Sequence, residues 1–438
     1  MERMPRTNPD DEAGGRERGR PAGRGAVSRD RSVSASTRWG CSRTGPAIAA
    51  TGLRRVAISA VLVALAAVWI GWPQPVLSHV TTTNTVLFDR EVVGILNRHC
   101  MGCHAADGLA SSLGTYEDTW LRRQPVLTAV LAGHMPPWAA VPGYGEFAND
   151  NALTLRETQF LISWVEGLGP RNAGRVFLNV PDAASAPRAD VRPQPPSDRW
   201  QVGQPDLERR LAASTIAPDA GNVVERTVVD LGLTSERRVR ALEFMPGDRR
   251  VVRAAFFTLE ETGQWLGSWT PWHGFVRLPA DVAYRLPAGS RVIAEIHYRG
   301  ANEPVVEAGT LGLYFATQPP PGVASDLVID ATGEVRAGAD AQRFHAETLL
   351  DRPTYVLSLR PETARGVTSL EVSARRPDGG TDILLFAKDI PTDWPTPYIF
   401  KTPLALPAGA TLSVTTYDAN PTSDPQPGGV RLTVSRYE

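Results

Sequence analysis

Apolar and polar positions change their rhythm several times along this chain. Residues 1–52 have no hydrophobic period and are rich in Arg, Gly, Ser and Pro. Such a stretch cannot bury enough apolar surface to offset the entropy of ordering, so it is expected to be disordered. Arg54-Arg55 then opens a uniformly apolar run, Val56–Trp72. Basic residues ahead of an apolar core mark 53–78 as a signal peptide or a membrane anchor. The arginine excess before it places the N-terminus in the cytoplasm and everything after it outside. Over 79–170 the apolar period is helical. Phe88, Val92, Ile95 and Leu96 share one face, as do Leu155, Leu161, Trp164, Val165 and Leu168. Thr154-Leu-Arg-Glu157 has the form of a capping box, and Gly167 with Gly169-Pro170 ends that helix. An Ala/Pro-rich linker is expected over 171–197.

From residue 198 the period shortens to two. Val251–Phe257, Arg291–Tyr298, Thr354–Leu359 and Thr411–Tyr417 read as strands. Pro246-Gly247, Pro287-Ala-Gly289, Pro377-Asp-Gly379 and Pro407-Ala-Gly409 read as the turns between them. The expected architecture is multidomain: an all-α domain at 79–170, then two antiparallel β-sandwich domains at 198–318 and 319–438.

Composition narrows the function. The formal net charge of the 438 residues is -1, which argues against a general nucleic-acid binder. The basic residues are almost all arginine, and Lys388 and Lys401 are the two lysines, so arginine counts reflect base composition more than function. Three cysteines are too few for a secreted disulfide scaffold.

Two of those cysteines form Cys100-Met-Gly-Cys103-His104, the CxxCH pattern of covalent haem attachment. Thiols one helical turn apart can reach both vinyl groups of a haem, and the next residue turns its imidazole toward the iron. A redox disulfide would sit beside a βαβ pattern, and a zinc site would need two further soft ligands; neither is in the sequence. One covalent haem c is therefore expected, held by Cys100 and Cys103 with His104 as an axial ligand. For the other axial position Gly133-His134-Met135-Pro136-Pro137-Trp138 offers Met135, with His134 as the alternative. Methionine ligation raises the reduction potential and bis-histidine ligation lowers it. Pro136-Pro137 stiffens this loop, and Trp138 is placed to pack on the haem. Met101 lies inside the attachment turn and cannot reach the distal face, and His99 precedes the turn.

The stretch 86–170 resembles the cytochrome c domain found ahead of bacterial domains similar to copper type II ascorbate-dependent monooxygenases, the peptidylglycine hydroxylating monooxygenase-like group. The resemblance rests on the CxxCH, Leu113-Gly-Thr-Tyr-Glu-Asp118, Met135-Pro-Pro-Trp138, Phe147-Ala-Asn-Asp150 and Ser163-Trp-Val-Glu-Gly167. It extends through Trp200-Gln-Val-Gly-Gln-Pro-Asp206, Glu243-Phe-Met-Pro-Gly247, Gly312-Leu-Tyr-Phe-Ala316 and Tyr417-Asp-Ala-Asn-Pro421. It implies an all-α cytochrome c domain, two jelly-roll-like sandwiches, and the methionine of MPPW as distal ligand. The copper ligands depart from the family pattern. Arg253 and Ala254 stand where it has paired histidines, and Ser358-Leu-Arg-Pro-Glu-Thr-Ala364 replaces its histidine-rich segment. Of the usual set only His297 is kept, and His273 and His345 match no ligand position. Two copper sites of this type need about five imidazoles and a thioether, since copper favours nitrogen with softer sulfur, so no copper is expected.

The expected function is single-electron transfer by an exported, membrane-anchored c-type cytochrome. The compartment is the periplasm or its extracytoplasmic equivalent, redox proteins are the partners, and the β-domains serve docking or scaffolding. The alternatives are a haem-fed copper monooxygenase and a haem-based sensor of small ligands.

Overall fold

The computed structural model describes residues 86–172, 199–391, 394 and 396–438. The expected tail at 1–52, the apolar segment at 53–78 and all but the first two residues of the linker at 171–197 lie outside the described residues. Among the described residues no helix is long and apolar enough to cross a membrane.

The N-terminal part opens with a π-helical turn, Phe88–Val92, that runs into α1 (Val93–His99). Then come α2 (Met101–His104), α3 (Tyr116–Leu121), α4 (Arg123–Leu131) and α5 (Leu155–Glu166). The helical spacing at Phe88, Val92, Ile95 and Leu96 does build a core, which Leu113, Leu161, Trp164 and Val165 complete. Thr154 and Glu157 close the expected capping box at the start of α5, and Gly167 caps its end. Leu155 and Leu168 do not join the stripe; they are 76% and 75% exposed.

The expected all-α cytochrome c domain is overturned. Strands dominate the described residues, and the five helices are short, from four residues in α2 to twelve in α5. The reason lies in residues 132–153. Glycines with positive φ at 133, 143 and 145, together with Pro136, Pro137 and Pro142, prevent a helix there. The backbone of this loop finds its partners in β-structure instead.

Those partners belong to the C-terminal half, where β-sandwich-like sheets are present. One sandwich uses β1 (Leu207–Arg210), β2 (Ser214–Ile216), β3 (Asn222–Asp230), β4 (Arg237–Met245), β5 (Val252–Leu259), β6 (Trp265–Trp269), β7 (Phe275–Arg277), β8 (Val282–Leu286), β9 (Arg291–Arg299), β10 (Val305–Glu307), β11 (Thr310–Phe315) and β12 (Gly322–Val323). One of its sheets runs β1-β11-β4-β8-β12 with β7 also on β4, another runs β3-β9-β5-β6, and β2 pairs with β10. Leu242, Phe244, Leu311 and Leu313 share a core with Ala255, Phe257, Ala294 and Ile296. The second sandwich uses β13 (Ser325–Val335), β14 (Ala339–Leu349), β15 (Thr354–Thr363), β16 (Val367–Arg375), β17 (Thr381–Lys388), β18 (Tyr398–Leu406), β19 (Thr411–Asn420) and β20 (Gln426–Tyr437). Its sheets run β13-β20-β15-β18 and β14-β19-β16-β17. Alternation works as the sequence predicts. Along β9, Val292, Ala294, Ile296 and Tyr298 are buried while Glu295 and His297 point to the other face.

In the second sandwich β17 and β18 are edge strands, and an uncovered edge offers unpaired backbone to any other chain. The loop at 139–148 covers both. Val141 N–H donates to Phe386 and Lys388 N–H to Ala139 on β17. Ala148 N–H donates to Ile399 and Lys401 N–H to Glu146 on β18. Ala140 and Phe147 enter the sandwich core, and Trp138 packs edge-on against Tyr398 at 5.2 Å. If the loop is part of that core, Phe147→Ala costs about 3–5 kcal/mol in denaturant unfolding, as for other buried phenylalanines. A loss below about 0.5 kcal/mol, typical of a surface site, would detach the loop from the sandwich.

Candidate functional site

Helix α1 delivers the two cysteines. Cys100 ends it, donating its N–H to the Leu96 carbonyl, and packs beside the helical core. The next turn is closed by N–H groups of Cys103 and His104, which donate to the Cys100 carbonyl at 3.1 and 2.9 Å. Cys100 and Cys103 are free thiols, half-buried and one turn apart. Met101 is buried in the turn, as its position in the motif requires. Desolvation pushes both thiols up to about 12; for Cys103 the neighbouring Cys100 adds to the rise and Arg253 opposes it. A dithiol used for redox exchange has a lowered pKa, the opposite direction.

His104 is oriented. Its Nδ1 lies 2.7 Å from the Ser111 carbonyl. A carbonyl can only accept, so Nδ1 carries the proton and Nε2 keeps its lone pair. Metal-bound imidazoles are commonly held this way, with the second nitrogen donating to a carbonyl. The 105–113 loop that supplies the carbonyl is tied back to the turn. Ala110 N–H donates to Cys103, and Leu113 N–H donates to His104. A Cβ on Gly108 would stand 2.3 Å from the Cys103 carbonyl oxygen, so only glycine fits there.

Close by, α4 is an apolar helix with no buried residue. Val126, Leu127 and Val130 are half-buried, and Leu131 is 60% exposed. Its end leads into the loop with His134 and Met135, whose N–H groups both donate to the Ala129 carbonyl. A cavity of about 280 Å³ is lined by His134, Met135, Trp138, Lys388 and Trp394. Both expected distal candidates therefore sit on one loop and reach the same cavity. Cys100, Cys103 and His104 are not among the residues that line this cavity, whose wall also carries Lys388 and Asp389.

The attachment turn rests on the first sandwich. A Cβ on Gly102 would come within 2.5 Å of the Pro271 carbonyl oxygen, so the motif's second variable residue must be small. The neighbouring Trp272 donates from Nε1 to the Asn149 carbonyl at 3.2 Å, and its ring lies 6.2 Å from that of Trp394. Asn149 is buried, with Nδ2 donating to the Pro397 carbonyl at 2.6 Å and Oδ1 accepting from Ile399 N–H at 3.0 Å. Arg253 is 2% exposed; its guanidinium donates to Asn222 Oδ1 and stands 4.4 Å over the Trp394 ring. Trp394 also lines a second cavity of about 250 Å³, shared with Phe256, Glu295, His297 and Arg360.

The histidines of the β-domains are engaged elsewhere. His297 Nε2 lies 2.9 Å from Glu295, which Arg226 also binds, and its strand partner is Ala254. His345 meets the Thr415 hydroxyl at 2.9 Å. His273 stacks near Phe275, and burial holds its pKa down to about 4, so it is neutral at pH 7. His99 bridges Asn151 and Glu157. Among the described residues no three His, Cys, Asp or Glu side chains gather as a metal group. The roles of Asn149, Trp272 and Trp394 carry no local signal in the sequence, because each acts through a partner more than a hundred residues away or through backbone.

No protein family matches the chain, and no curated protein does. Among solved structures it is similar to the major capsid protein P2 of bacteriophage PM2, with a TM-score of 0.22, 10% identity, and coverage of 52% of this chain and 97% of that one. It is also similar to an allantoicase, with a TM-score of 0.18, 12% identity, and coverage of 48% and 77%. A putative secreted protein from Eubacterium rectale gives 0.19, 7% identity, and coverage of 49% and 69%. At these scores none carries an argument about function.

Two outcomes follow from the packing of the turn. In the haem-free chain, alkylation of Cys100 and Cys103 at pH 8 should be more than tenfold slower than that of an ordinary thiol of pKa near 8.5. The rate should keep rising toward pH 12, where an ordinary thiol levels off. Peptide-resolved mass spectrometry reads both, and a plateau near pH 9 would contradict the desolvated turn.

Proposed function

We propose that this chain is an exported electron-transfer protein that holds one haem covalently through Cys100 and Cys103, with His104 as an axial ligand. The observation that carries the reading is the His104–Ser111 hydrogen bond. It leaves Nε2 as the free donor on the short helix that carries Cys103 and is capped by Cys100, both free thiols. Attachment needs each S–H to add across a vinyl C=C, which forms a C–S bond and moves the proton to carbon with no oxidant. Bound there, a haem supplies a one-electron iron couple. The reading needs no sizeable helical domain: a short helical core, the α4 apolar side and the Met135 loop on the second sandwich are the scaffold.

Met135 is the proposed sixth ligand and His134 the competitor. The export signal at 53–78, the membrane association it implies and redox-protein partners belong to the same proposal, as does its resemblance to the haem-bearing part of the monooxygenase-like group. Copper is left out of it. His297 spends Nε2 on Glu295, and Arg253, always cationic, stands at the position of a metal ligand.

Three measurements test this. Denatured protein should keep haem peroxidase staining on a gel, and Cys100→Ser with Cys103→Ser should abolish it; covalent haem in the double variant would end the proposal. The oxidised protein should show the weak near-red sulfur-to-iron band, lost in Met135→Ala and kept in His134→Ala, whereas the reverse pattern assigns the iron to His134. A reporter active only outside the cytoplasm should work when fused after Gly169, and activity of a cytoplasm-only reporter there would refute export.

A further inference from the structure

We infer that the helical part lies on a lipid bilayer through Leu168, Trp120 and Leu121. The inference rests on the reading of 53–78 as a membrane anchor. It starts from the backbone after α5. Leu168 follows the helix at φ 66°, in the left-handed region; its N–H donates to the Val165 carbonyl, and the N–H of Gly169 donates to that of Trp164. This pair of bonds is a common helix ending in which the left-handed position usually belongs to glycine, because a side chain there costs energy. Glycine stands on both sides, at 167 and 169, yet leucine holds the position itself. Packing within the chain does not offset that strain, since the Leu168 side chain is 75% exposed. Leu155, 76% exposed at the other end of α5, carries no such strain.

The neighbouring helix supplies the rest of the surface. α3 runs beside 168–170: Trp120 donates from Nε1 to the Leu168 carbonyl at 3.0 Å, and the Tyr116 hydroxyl donates to that of Gly169 at 2.8 Å. Leu121 is 69% exposed, and the half-buried Trp120 has the Arg123 guanidinium 4.0 Å over its ring. An indole beside aliphatic side chains and arginine suits the boundary between headgroups and acyl chains. The flanking arginines are paired: Arg122 with Asp118 at 3.7 Å, and Arg171 with Asp89 and Glu117 at 3.7 and 3.6 Å. The contact is therefore apolar rather than electrostatic. The chain enters at the same place. Phe88 and Asp89 donate their N–H groups to Pro170 and Arg171 at 3.0 Å each, so the entering segment lies alongside the residues that follow Leu168. Residues 73–85 separate Val86 from the apolar run Val56–Trp72 and reach at most about 45 Å. A bilayer that holds the run is thus within reach of Leu168.

The test uses the full chain in vesicles of phosphatidylethanolamine and phosphatidylglycerol, with a trace of phosphatidylcholine bearing a diazirine near the head of one acyl chain. After illumination, peptide-resolved mass spectrometry should find lipid adducts at 119–123 and 166–170 as well as in the anchor. Salt at about 0.5 M should leave that yield within about twofold, since screening does not weaken an apolar contact, and a larger fall overturns the inference. Leu168→Asn with Leu121→Gln should lower the yield at 119–123 and 166–170 at least about fivefold, because two leucines carry much of the apolar transfer energy, while adducts in the anchor stay. Asparagine adopts the left-handed conformation, so the helix ending is kept and the thermal unfolding midpoint should not fall. An unchanged yield in the double variant overturns the inference. So does a parent whose adducts are confined to 53–78, a result that needs no variant to fold. A chain that does not float with the vesicles defeats the anchor reading and this inference together, whereas one that floats without adducts at 119–123 and 166–170 defeats this inference alone.

Discussion

The side-chain amide of Asn149 has both ends occupied by second-sandwich backbone, at Pro397 and Ile399, while its own carbonyl accepts the indole N–H of Trp272 from the first sandwich. Three parts of the chain therefore meet at one buried polar residue. An amide buried this deeply is stable only when its groups are paired, so small relative movements of the three parts would each break a hydrogen bond in a dry setting. Next to Asn149 in space, Trp272 follows Pro271, whose carbonyl presses on Gly102 of the attachment turn. The position of the cysteines is thus set by the contact between sandwiches as much as by the helices that carry them.

This arrangement changes what the CxxCH motif means. In isolation it is five residues, Cys100 and the four-residue helix it caps, with two thiols and an imidazole. In the folded chain one side meets the helical core, another meets the first sandwich, and the imidazole is held by a loop that hydrogen-bonds back to the turn. Desolvation follows from such packing, and the raised thiol pKa values are its chemical signature.

Features fixed by local rules were legible in the sequence. The Thr154–Glu157 box is a matter of four residues, and the alternation along β9 and β19 needs only one buried face. The CxxCH spacing was equally plain. The 132–153 stretch was not, because its structure is decided by edges formed from residues more than two hundred positions later. Its apolar residues, Trp138, Ala140 and Phe147, follow neither a helical nor an alternating period, and the expectation of one helical domain absorbed them by proximity. Leu155 and Leu168 show the opposite error, since a matching period placed them on a buried face that ends before it reaches them. Arg253 was visible only as a broken pattern; its stacking on Trp394 is a tertiary fact.

The covering of two sheet edges by residues 139–148 has a bearing on how this chain can be divided. A boundary drawn after Pro170, where the composition changes, would cut between the helices and the strands that complete them. The excised helical piece would carry Ala140 and Phe147 into water, and the strand portion would be left with two open edges inviting pairing between copies. The first sandwich cannot be left out either, since its Trp272 binds Asn149 and its core takes in Leu357 and Tyr437 of the second, so the separable unit of structure, and so of engineering or recombination, is all three parts together.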